Sequence, residues 1–191
     1  MVNRERLVWT VATRRQLERW EPLVALSVRR SFDDQQLEKA DIWAAEIEHH
    51  FLLIAGRHLL QALDLDPMSN VSVDPTLRNE LKEGRDLHEH WFDNLPVFNV
   101  RPRVQQPPRK SGRDFAARNP ERGPYWWLGW NSKTGPKILP HVHAPELHRV
   151  LDDVEAEVLT DDPTLSQYVP PRAPSPWRLE NGNWWPIQDD V

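Results

Sequence analysis

Asp41-Ile42-Trp43-Ala44-Ala45-Glu46-Ile47-Glu48-His49-His50-Phe51-Leu52-Leu53-Ile54-Ala55-Gly56-Arg57-His58-Leu59-Leu60-Gln61-Ala62-Leu63 carries the strongest helical pattern in the chain. At about 100° per residue, Trp43, Ile47, Phe51, Ile54 and His58 share one face while Leu52, Leu59 and Leu63 take the other side. This predicts a central helix over residues 39–64, contacted on most sides. A narrow polar stripe remains, with Glu46, His50 and Arg57 within about 40° of one another. The stripe reads either as internal ion pairs at helical spacing or as a set of supporting functional groups.

Outward from this helix, the punctuation is that of a helical domain. Residues 4–31 place Leu7, Val11, Leu17, Trp20, Val24, Leu26 and Val28 at mostly helical spacing, with Arg14, Arg15, Glu18 and Arg29 between them. Pro22 marks either a kink or the first turn of a second helix. On the other side, Asp64-Leu65-Asp66-Pro67-Met68-Ser69-Asn70 is a turn-rich connector. Asp74 then supplies an N-cap and Pro75 a first helical position, and Leu95-Pro96 ends the helix because Pro disfavours helical geometry in the residue before it. Residues 145–159 put Leu147, Leu151, Val154 and Val158 on one stripe, an amphipathic helix begun by Pro145.

Between these helices the chain changes character. Residues 99–122 are Pro-rich and poor in aliphatics, an extended loop by composition. Tyr125-Trp126-Trp127-Leu128-Gly129-Trp130 and Pro136-Lys137-Ile138-Leu139-Pro140 flank Asn131-Ser132-Lys133-Thr134-Gly135 and predict a β-hairpin, its second strand at an edge because of the prolines. After Pro163 comes a Pro/Trp tail with no periodicity, expected to lie on the body because tryptophans are costly to leave in water. The expected architecture is all-α: an antiparallel bundle of four to five helices over residues 1–160, with residues 99–143 as a basic loop and β-hairpin insertion and 161–191 as a packed Pro/Trp-rich tail.

Composition narrows the chemistry. The 191 residues suit one domain with an appendage, and the 39% hydrophobic content must be concentrated, since 18 prolines are also present. There is no cysteine, which removes disulfides, thiol nucleophiles and thiolate metal sites. The opening Met-Val-Asn-Arg-Glu-Arg is no signal peptide, and the longest apolar run, Phe51 to Ala55, is far below a membrane span, so a soluble cytoplasmic protein with no membrane partner is expected. Seven glycines and no Gly-rich phosphate loop argue against a dinucleotide-binding fold. The net charge of −5 hides an asymmetry: residues 101–122 carry Arg101, Arg103, Arg109, Lys110, Arg113, Arg118 and Arg122 against only Asp114 and Glu121. Such a stretch is either a solvated Arg-rich loop or a phosphate-binding one, in which Arg101, Arg103, Arg109, Lys110 and Arg113 would meet RNA.

The helix from Asp74 holds the best candidate for catalysis. A wheel of residues 77–95 gathers Leu77, Leu81, Gly84, His88, Trp91 and Leu95 within about 80°, which identifies the core face and makes His88 a core histidine. Arg85 lies at the border of that face, and His90 lies away from it, roughly 140° round from Arg85. Arg85-x-x-x-x-His90, with Asp86 after the Arg and Trp91 after the His, resembles the signature of the HEPN superfamily (higher eukaryotes and prokaryotes nucleotide-binding domains). The order of elements agrees over roughly residues 4–160; Asp stands where Asn is commoner in the family.

The resemblance implies a metal-independent endoribonuclease, of a kind that includes toxin and defence types, without a cofactor and working as a homodimer with a composite cleft. Arg85 would hold the scissile phosphate, His90 would take a proton from a ribose 2′-OH, and Asp86 would orient His90. Glu46, His50 and Arg57 would support them, and an antitoxin or other protein partner is compatible with this class. The competing class is a non-catalytic helical interaction or scaffold protein. A metal-binding bundle is a second alternative, using Glu46-x-x-His49, His88-x-His90, or His141-x-His143 with His148. A helical di-iron site wants the Glu-x-x-His unit twice, and one copy is present, so no metal is expected. His141 and His143 also read as caps of the helix that follows.

Overall fold

The computed structural model describes residues 2–33, 35, 38–89, 129–139 and 141–187, with residues 83 and 85–89 as backbone alone. The described chain is mostly helical, with two small antiparallel sheets. Helix α1 spans Val2–Phe32, α2 Lys39–Asp64, α3 Pro75–Glu89 and α4 Ala144–Asp161. Strands β1 (Gly129–Asn131), β2 (Gly135–Leu139) and β3 (Val142–His143) form one sheet, and β4 (Trp177–Glu180) with β5 (Asn183–Pro186) the other. No helix among the described residues is long and apolar enough to cross a membrane.

Helix α1 runs unbroken through Pro22. A proline inside a helix costs about 3 kcal/mol, but Trp20, Val24, Ala25 and Val28 are buried on either side of it, and each large apolar side chain returns about 1.5–3 kcal/mol. The helix is held between two antiparallel neighbours. Towards α2, Trp9 stacks on His58 with ring centroids 4.3 Å apart, and at the other end Arg30 pairs with Asp41 at 3.1 Å. Towards α4, Arg6 meets Glu157, Arg14 bonds Asp152 at 2.9 Å and Glu155 at 3.0 Å, and Glu21 faces His148 at 3.1 Å.

Helix α2 departs from its expected setting. Its Leu52, Leu53, Leu59, Leu60 and Leu63 are buried, but the face of Trp43, Ile47 and Phe51 is open, with 65%, 55% and 49% of each residue exposed. Contact on most sides does not occur: α1 and α3 pack on the leucine-rich side, and on the opposite face α1 reaches His58 through Trp9. Periodicity groups residues on a face; it does not say whether an element exists to cover that face.

Helix α3 starts where its cap predicts. The Thr76 backbone N–H donates to Asp74 Oδ1 at 2.7 Å, and this bond holds the Asp74 carboxyl below its ordinary pKa. A carboxylate depressed in the folded state stabilises it above the unfolded pKa and loses that contribution as pH falls through the folded value. Asp74→Ala is therefore expected to lower the Tm at neutral pH, with the gap to wild type closing in acid; thermal melts across pH check this. The end expected at Leu95-Pro96 lies outside the described residues.

The docking of α3 depends on glycine at two contacts. A Cβ at Gly56 of α2 would sit 3.3 Å from Leu81, and one at Gly84 of α3 would sit 2.6 Å from Leu139 of β2, a residue with no exposed surface. Gly84→Ala is expected to destabilise by about 1–2 kcal/mol in denaturant titration, overpacking outweighing the gain in helix propensity.

The expected hairpin is present as β1–β2, with Trp130 opposite Pro136 and Gly135 at φ 87° where the turn enters β2. Its second strand is central rather than at an edge, since β3 pairs on its other side at Lys137 and Leu139. That pairing begins beyond Pro136, so the missing proline N–H faces no partner there. The tail, which has no periodicity, contains an unforeseen second hairpin: Asn181 (φ 50°) and Gly182 (φ 70°) make a two-residue turn of positive φ between β4 and β5. It lies on the helices through Trp177, which is 4% exposed, and through the Arg29 side chain, which donates to the Ile187 carbonyl at 2.8 Å.

Candidate functional site

The relation of α3 to α2 fixes the candidate site. Arg78 pairs with Asp64, and Leu81 meets Gly56, so residue numbers rise on α3 as they fall on α2. At about 1.5 Å per residue on both helices, these two contacts put Arg85 level with about residues 52–57 of α2, and the end of α3 at Glu89 with about residues 48–53. The end of α3 at Glu89 therefore runs alongside the middle of α2, near His50.

Glu46, His50 and Arg57 are partly exposed and sit on the outward arc of α2. By helical arithmetic His50, Arg57 and Glu46 lie about 20°, 40° and 60° from Trp43, on the side away from Ile47. It is on the side of α2 away from His58, the residue that stacks on α1. The His50 ring lies 5.7 Å from that of Phe51. Partial burial raises the Glu46 pKa from its ordinary value, and the nearby His50 pulls it back down. Among the described residues Arg57 forms no ion pair.

Other sequence candidates are distributed as follows. Arg85 and Asp86 belong to α3. His90 and the basic residues Arg101, Arg103, Arg109, Lys110 and Arg113 lie outside the described residues. His49 is turned inward: fully buried, its Nε2–H donates to the Ile138 carbonyl at 2.8 Å and its ring lies 5.9 Å from that of Trp20. His148 is engaged with Glu21, and His141 stands 3.9 Å from Glu80, whose Oε2 also accepts the His141 backbone N–H at 3.0 Å. His143 occupies the N-cap position of α4 without a side-chain cap bond, so the expected histidine cap does not form. Among the described residues no group of three or more His, Asp or Glu side chains is placed to hold a metal ion.

Sequence reasoning missed the most conspicuous surface feature, the open apolar line of Trp43, Ile47 and Phe51 beside the polar flank. The signal was present, since that line and the polar flank fall on one continuous arc of the wheel. No family model, curated protein or solved structure matches the chain.

Proposed function

We propose that this chain is an RNA-cleaving domain that resembles the HEPN superfamily, built as an antiparallel helical bundle and acting without a metal as a homodimer. What supports the reading is the run of α3, through Arg85 and Asp86, alongside α2, which carries Glu46, His50 and Arg57 on its outward arc. The order α1, α2, α3, insertion, α4 further supports the reading.

In this mechanism the Arg85 guanidinium binds the scissile phosphate and neutralises the charge that builds on its oxygens. His90 takes the proton of the adjacent 2′-OH; the 2′-oxygen attacks phosphorus, the bond to the 5′-oxygen breaks, and a 2′,3′-cyclic phosphate remains. The leaving 5′-oxygen collects a proton from a second acid, a task open to the His90 of the other copy. The basic residues of 101–113 hold the strand by its phosphates.

The test is RNA cleavage by the purified chain in the presence of a chelator. His90→Ala is expected to lower the rate by about 10²–10⁴-fold, the usual worth of a general acid or base. Cleavage that survives the substitution rejects His90 as the base, and cleavage abolished by the chelator rejects the metal-independent mechanism.

A further inference from the structure

We propose that the outward arc of α2 is a seam for a second copy of this chain, with the two α2 helices antiparallel about a two-fold axis that passes between the levels of residues 51 and 52. Trp43, Ile47 and Phe51 leave about half or more of their surface open on one line, and Ile54 continues it half-buried. Three large apolar side chains at successive turns of one helix form a continuous patch, not scattered surface residues.

Charge identifies the occupant. Beside the apolar line, Lys39, Glu46, Arg57 and Asp64 fall within about 40° of one another. Glu46 and Arg57 stand equally far on either side of the 51/52 level, and so do Lys39 and Asp64. An antiparallel copy centred there sets Glu46 against Arg57 of the partner subunit and Lys39 against Asp64 of the partner subunit, each twice by symmetry. Within one chain, Lys39, Glu46 and Arg57 make no ion pair among the described residues; Asp64 is already paired to Arg78. A parallel copy would put the two charged stripes on opposite edges of the seam, where neither pair forms. In the antiparallel register Ile47, Phe51 and Ile54 of both copies meet around the axis, as a knobs-into-holes core requires.

The deciding experiment is the oligomeric state of the purified full chain by light scattering and sedimentation, beside circular dichroism as a check of folding. Wild type is expected to be a dimer and Ile47→Asp a folded monomer. Glu46→Arg and Arg57→Glu should each weaken the dimer tenfold or more, and the two together should restore its Kd to within about threefold of wild type. A monomeric wild type overturns the seam, and that outcome includes a surface meant for a different protein. A dimer indifferent to Ile47→Asp also overturns it. Weakening by both charge reversals without rescue overturns the antiparallel register. Cleavage is read separately: a dimer that fails to cut RNA overturns the ribonuclease reading and leaves the seam standing.

Discussion

Replacing Arg6 with alanine is expected to cost about 3–5 kcal/mol of folding stability, as for other buried ion pairs that lose one partner. Arg6 is 1% exposed, and its guanidinium bonds Asp66 at 2.6 Å, Ser69 at 3.3 Å and the Glu157 carboxylate. Glu157 in turn accepts from the Ser69 hydroxyl at 2.8 Å and the Asn70 backbone N–H at 2.7 Å. One cation thus ties α1, the α2–α3 connector and α4 together. Without it, two carboxylates face each other across a hole with no positive charge between them. Urea unfolding should show the loss, and adding Asp66→Asn and Glu157→Gln to Arg6→Ala should recover part of it by removing the stranded charges. A loss under 1 kcal/mol for Arg6→Ala would mean that the network is spectator to folding.

Trp20→Ala is expected to cost a similar amount, about 3–5 kcal/mol, as for other fully buried aromatics. Trp20 of α1 has no exposed surface, and its ring lies 5.9 Å from that of His49, the residue that bonds the β2 carbonyl of Ile138. The cavity therefore opens where α1, α2 and the sheet meet, and the inward histidine loses its aromatic neighbour. Trp43→Ala is the informative control, since Trp43 is 65% exposed. Measured in the monomeric Ile47→Asp background, it should change stability by no more than about 0.5 kcal/mol. Equal losses for the two tryptophans in that background would show that Trp43 is covered within its own chain.

Those two tryptophans mark what the sequence could and could not convey. The helices were legible because each has local causes: Asp74 and Pro75 start α3, Pro145 opens the amphipathic α4, and the leucines of α2 repeat at helical spacing. The β1–β2 turn was legible for the same reason. The β4–β5 hairpin was announced only by Asn181-Gly182, too small a signal inside a Pro/Trp segment to be noticed.

For the candidate site, the sequence determined which residues share a helical face, since that follows from 3.6 residues per turn and nothing else. It placed Glu46, His50 and Arg57 on one stripe and Arg85 on the helix beside it. Only the tertiary structure decided which faces acquire a neighbour. Burial depends on elements distant in the chain: α4 covers Arg6 and Arg14, β2 claims His49, and α1 and α3 both choose the leucine side of α2. The Trp43-Ile47-Phe51 line was thereby left open, turning what periodicity read as core into the surface most in need of a partner.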